Sequence, residues 1–118
     1  MDDAEYKRLC ATPDVMSRPD LRATEVRLRE AQPHLADEIA RLLTTQPVPK
    51  PRLHESGPES DFIWLDLRDD DLEAIHDALR DQEVLLVEKG EPYPPELSFV
   101  TSLADKWNAA DSSRSDAV

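Results

Sequence analysis

The sequence predicts a mainly α-helical α+β fold with about five helices and one or two short strands. Three observations carry that prediction. Leucines recur every seven residues at Leu21, Leu28, Leu35 and Leu42, the period of an amphipathic helical stripe. The segment Asp61-Phe62-Ile63-Trp64-Leu65-Asp66-Leu67-Arg68 alternates branched and aromatic side chains between turn signals, as a strand does. Two proline clusters, Pro47 to Pro58 and Pro92 to Pro95, punctuate a chain that holds only two glycines.

Taken in order, residues 2–11 form a first helix with Tyr6, Leu9 and Cys10 on its apolar face, ended by Thr12-Pro13-Asp14. Ser17, three residues before Asp20, is an approximate capping box, with Pro19 tolerated in the first turn. The leucine stripe then runs on, joined by Ala31, Ile39 and Leu43. Pro33 interrupts it, because proline lacks the amide hydrogen and clashes with the preceding turn. Two helices near 18–31 and 33–45 are expected, and the unbroken stripe favours a small break at Pro33 over a reversal. Pro47, Pro49, Pro51 and Pro58 with Gly57 make residues 46–60 a semi-extended connector.

The strand over 62–67 would send Ile63, Leu65 and Leu67 to one side and Phe62, Trp64 and Asp66 to the other. Asp69 or Asp70 caps a helix of about 70–82 built on Leu72, Ile75 and Leu79, and the acids at its start complement the helix dipole. Val84-Leu85-Leu86-Val87 suits a second short strand, with extension of the helix as the alternative. As a strand it would complete a small βαβ-like unit, parallel to 62–67. A last helix spans Pro95 to about Ala110, and residues 111–118 are expected to be a disordered tail. The whole is expected to be one domain over 1–110, comprising a helical half (1–45), the connector, and an acidic strand-helix half (61–110).

At 118 residues a folded chain hides roughly two thirds of the surface its unfolded form exposes, enough for a modest core. No apolar run, that of 84–87 included, exceeds four residues, far short of the ~20 a membrane span needs. The acidic start, Met1-Asp2-Asp3-Ala4-Glu5, lacks the regions of a signal peptide. A lone cysteine, Cys10, fits a reducing cytoplasm.

The net charge of -12 is unevenly placed. Residues 1–50 hold nine acids and eight bases, whereas Glu55 to Glu91 holds thirteen acids against Arg68, Arg80 and Lys89. Nucleic-acid affinity depends on basic groups displacing counterions, so this half does not bind nucleic acid directly. Its field serves solubility or steers a basic partner.

No arrangement of residues points to catalysis. His34, Asp37 and Glu38 would share a helix face, but no second cluster at zinc-type spacing accompanies them. Asp69-Asp70-Asp71 lacks the spacing and the glycine of a calcium loop. There is no glycine-rich phosphate loop, nucleophile elbow or His-Glu-x-x-His motif. No metal or cofactor is expected, and a small metal-dependent enzyme is the weakest of the functional expectations.

What leans toward recognition is the strand. It is apolar on both faces apart from Asp66, so Phe62 and Trp64 need cover from the chain itself or from another protein. Aromatic anchors rimmed by charge are typical of interface centres. The expectation is a non-catalytic acidic protein that engages a basic partner surface. Phe62, Trp64, Asp66, Asp69, Asp70, Asp71, Glu73 and Asp77 would make the binding surface. In size and acidity it is similar in type to immunity proteins, antitoxins and small inhibitors, a likeness of composition alone. The alternative is a self-assembling subunit, a homodimer for instance, paired through the 62–67 strand or the 18–45 helices.

Overall fold

The computed structural model describes residues 2–50, 61–88 and 94–115. The described elements are five helices and one two-stranded antiparallel sheet, a mainly helical fold. The chain divides into two compact units, residues 1–66 and 67–118.

The first unit is built on a sheet smaller than its own cover. Helix α1 (Asp3–Cys10) starts where the Asp2 carboxylate accepts the Glu5 N–H at 2.8 Å, satisfying one orphan donor of the first turn. Strand β1 (Val15–Ser17) follows at once, and Ser17 also caps α2 (Arg18–Leu28), accepting the Asp20 N–H at 3.3 Å with Pro19 in the first turn. Pro33 opens α3 (Pro33–Leu43), where its missing N–H costs nothing. The Arg18 guanidinium, at the start of α2, donates to the Leu43 carbonyl at the end of α3. The two helices are therefore an antiparallel hairpin, and the small break expected at Pro33 is a full reversal. Leu21, Leu28, Leu35 and Leu42 are all buried along their seam, while Ala31 lies exposed in the turn.

Strand β2 (Phe62–Trp64) pairs with β1 in the register Val15 with Trp64, Met16 with Ile63 and Ser17 with Phe62. The strand expected over 62–67 is thus cut to three residues, although burial goes on alternating as far as Arg68. On one face of the sheet Val15 is buried with Tyr6 and Val48, and Leu9, Cys10 and Phe62 pack partly against them. On the other face Met16 and Ile63 are buried where α2 and α3 adjoin the strands. Each fully buried aliphatic side chain contributes about 2 kcal/mol through removal from water.

An ion cluster closes this unit. Asp61 accepts from Lys50 at 2.6 Å and from Arg18 at 3.2 Å, with all three side chains at most 15% exposed. It ties the first part of the connector and the entry to β2 to the start of α2. The Lys50 bond above all, with that from Arg18, holds the Asp61 carboxyl below its usual range against the opposing effect of burial.

The second unit is a helical hairpin of α4 (Asp69–Glu88) and α5 (Pro94–Ser115). Arg80 meets Asp105 at 2.7 Å and Glu83 meets Thr101 at 2.8 Å, so the helices run antiparallel. Leu72, Ile75 and Leu79 are buried from α4, and Val100, Leu103, Ala104, Trp107 and Ala110 from α5.

Here the structure corrects three expectations. Residues 84–87 continue α4 and form no strand, so the parallel βαβ-like unit does not exist. β-branched residues lower helix stability by only a few tenths of a kcal/mol each, and no proline or glycine stops the helix before Gly90. Asp69 and Asp70 do not cap α4 from outside but lie within its first turn, and the Arg68 carbonyl accepts the Leu72 N–H. Residues 111–115 of the expected tail are helical, since nothing after Pro95 breaks the helix; 116–118 lie outside the described residues.

Candidate functional site

The antiparallel ladder decides which way each backbone group of β2 points. Arg18 N–H bonds the Asp61 carbonyl and Leu65 N–H bonds the Asp14 carbonyl, both at 3.0 Å. Residues 61, 63 and 65 therefore face β1, and 62 and 64 turn their N–H and C=O groups to the outer edge. At that edge the Phe62 carbonyl accepts the Val48 N–H at 2.8 Å. Trp64 has no backbone partner among the described residues. Its side chain is also 45% exposed, a large apolar group beside two unsatisfied polar ones.

Asp66 lies two residues on, hence on the same face in strand geometry. Its side chain is 86% exposed, 4.0 Å from an Arg41 guanidinium that also donates to the Asp66 carbonyl at 2.8 Å. Arg41 is bound to Glu38 as well, at 3.2 Å. One cation thus serves two carboxylates, and a negative charge is left over beside Trp64. Phe62 belongs elsewhere: it is half-buried against the Tyr6, Val15 and Val48 cluster and is covered by its own chain.

The remaining predicted residues sit in the other unit, on α4. Asp69, Asp70, Glu73 and Asp77 are exposed and Asp71 is half-buried. Asp70, Glu73, Asp77, Asp81 and Glu88 are exposed at spacings of three, four and seven, which places them within an arc of about 80° on the helix surface. None of these five has a cation partner among the described residues. Within that helix the stripe is unfavourable. Asp69 with Glu73, Glu73 with Asp77, and Asp77 with Asp81 are like charges four apart, together costing about 1 kcal/mol. Only the first-turn acids gain from the dipole. Asp81 and Glu88 extend the predicted set, and their spacing was the signal for them.

The polar groups that might have suggested chemistry are otherwise engaged. Asp37 pairs with Arg29 and Glu38 with Arg41, so His34 is not joined by carboxylates free to hold a metal. Among the described residues no three His, Cys, Asp or Glu side chains come together as a metal site; His54 lies outside them. His76 accepts from Arg80 at 3.2 Å, and Arg80 also binds Glu83 and Asp105, two contacts that raise its pKa further. Cys10 packs beside Tyr6, whose hydroxyl is pushed up to about 12 by burial first and then by its bond with Cys10. An open groove along α5, past Thr101, Asp105 and Lys106, takes all its walls from that one helix. Among the described residues no helix is long and apolar enough to cross a membrane.

No protein-family model, no curated protein and no solved structure matches the chain.

Proposed function

We propose that this chain is a non-catalytic cytoplasmic binding protein, of immunity, antitoxin, inhibitor or accessory type, and that its partner is another protein with a basic surface. The observation that carries this is Trp64, a tryptophan left half in water on a paired strand whose neighbours Ile63 and Leu65 are buried. An indole in that position costs free energy when alone and returns it on burial by a partner. Asp66 beside it, and Asp69, Asp70, Asp71, Glu73 and Asp77 on α4, supply the charge that would draw and orient a basic surface. The acidic stripe supports the same reading, because beyond the first turn its like charges repel one another with no gain from the helix dipole.

Capture from an extract of the cells that make the protein tests the proposal. The wild-type chain is expected to retain a basic protein at low salt and to release it as salt rises. Trp64→Ala and the combined change Asp70→Lys, Glu73→Lys, Asp77→Lys should each lose it. A partner retained equally by both variants, or indifferent to salt, overturns the proposal.

A second reading, a self-assembling subunit, draws on the same open edge at Trp64. Sedimentation equilibrium separates the two, since a monomer at every concentration rules out assembly.

A further inference from the structure

We infer that the outer edge of β2 at Trp64 is a strand-addition site for an extended segment of another protein bearing the pattern basic–x–apolar–x–basic. The inference rests on reading Trp64 as part of a binding surface and adds the mode of binding and the chemistry of what binds.

The edge already accepts a neighbouring chain at one point. Val48 N–H bonds the outward Phe62 carbonyl, so the start of the connector meets the outer edge of β2 at that residue, as a third strand would. Two residues further on, Trp64 presents the next outward N–H and C=O with no partner among the described residues. The bonded pairs on either side, Met16 with Ile63 and Asp14 with Leu65, hold Trp64 in strand conformation. A docked strand can exchange two hydrogen bonds with Trp64 while β1 and β2 stay paired, one flank running past Asp66 and the other turning away from the edge where Val48 bonds Phe62, and main-chain bonds at such an edge give affinity while side-chain positions give specificity.

The side-chain pattern follows from strand geometry. The residue opposite Trp64 projects from the same face as the indole, so it is apolar. The residue two positions away meets Asp66, whose charge is only shared with Glu38 for the one Arg41, so it is basic. Because the strand direction is not fixed by a single paired residue, a basic residue on both sides satisfies either orientation. A second copy is a poor occupant. Each copy carries -12, and an antiparallel pairing centred on Trp64 would set Asp66 against the uncharged Phe62.

The test uses the whole isotope-labelled chain and a blocked peptide, Thr-Lys-Thr-Val-Thr-Lys-Thr, read by nuclear magnetic resonance and by tryptophan fluorescence. Saturable movement of the Trp64 amide signal and slower exchange of that amide are expected. N-methylation of the central Val removes the donor to the Trp64 carbonyl and should weaken binding about tenfold. Replacing both Lys by Glu should do the same. The changes are made in the peptide, so folding of the protein is not in question. A Trp64 amide unmoved at millimolar peptide overturns the inference. If the N-methylated peptide binds as well as its parent while the Glu peptide does not, strand addition fails and the charge-guided binding proposed above stands. Protection of Trp64 that rises with protein concentration in the absence of peptide identifies a second copy as the occupant and overturns the inference.

Discussion

Replacing Asp61 by alanine removes the carboxylate that Arg18 and Lys50 both bind at the closure of the first unit. Breaking a buried pair by deleting one partner costs about 3–5 kcal/mol. The three side chains here keep 10–15% of their surface, and long cationic stems can swing their heads to water, so the lower figure of about 3 kcal/mol applies. With about 2 cal/mol/K of unfolding entropy per residue, that lowers Tm by about 12 °C if all 118 residues unfold together, and by about 20 °C if residues 1–66 unfold alone. Circular dichroism melts at neutral pH read the difference directly. The pH dependence supplies an internal control. The folded pKa of Asp61 lies below its ordinary value, so the folded state binds fewer protons than the unfolded one across that interval. The stabilisation is present above the ordinary carboxylate range and disappears as pH falls through the folded pKa. The gap between wild type and Asp61→Ala should therefore close toward about pH 2. A Tm loss under about 2 °C at neutral pH, or an equal loss at both pH values, would refute the assignment of this cluster as the clasp of the first unit.

Arg80→Met removes the hub that binds Glu83 and Asp105 across the α4–α5 hairpin; because the site is over a third exposed, the expected cost is only about 1 kcal/mol, measured by urea unfolding, with a coupling term in the cycle with Asp105→Ala. Tyr6 has a folded pKa of about 12 against an ordinary 10.0, so the unfolded chain loses this proton first and stability falls as pH climbs through that interval; Tyr6→Phe should flatten the alkaline fall, and an unchanged slope would contradict the burial of the hydroxyl. Of the two tryptophans, Trp107 is fully buried and Trp64 is 45% exposed; acrylamide should quench one emitting population readily, and Trp64→Phe should abolish that population.

What the sequence disclosed depended on the range of the interaction. The capping of α2 by Ser17, the leucine seam and the cores of α4 and α5 follow from side chains within a turn or two of one another, and the period shows them. Strand β1 was hidden because Val15-Met16-Ser17 is too short to alternate, and its partner lies 47 residues along the chain at Ile63. The reversal at Pro33 was hidden for a different reason: a leucine stripe faces one way both in a kinked helix and in two helices folded onto a common seam. Val84 to Val87 misled because β-branched residues lower helix stability only slightly, and α4 meets no proline or glycine before Gly90 to stop it. For the binding surface, Trp64 and the α4 acids were legible by residue type and spacing. The exposure of one aromatic and the burial of the other were not, since Phe62 is covered by Tyr6 and Val48 from segments the sequence does not mark as neighbours.

The charge asymmetry acquires a physical meaning only when the ion pairs are assigned. In the first unit five acids are held in ion pairs: Asp3 with Lys7, Glu25 and Asp37 with Arg29, Glu38 with Arg41, and Asp61 with Arg18 and Lys50. In the second unit Glu83 and Asp105 are similarly occupied by Arg80. Asp70, Glu73, Asp77, Asp81 and Glu88 have no cation partner among the described residues and are aligned on one helix face, where they repel one another. Solubility alone would be met by acids scattered over the surface, where their mutual repulsion is smallest. Alignment concentrates the potential along one line, which is the arrangement that attracts and orients a positively charged surface. Reversing Asp77 alone should therefore slightly stabilise α4, by relief of its like-charge pairs with Glu73 and Asp81, while it weakens partner capture. Stability and binding moving in opposite directions on the same substitution would separate a docking face from a merely hydrophilic one.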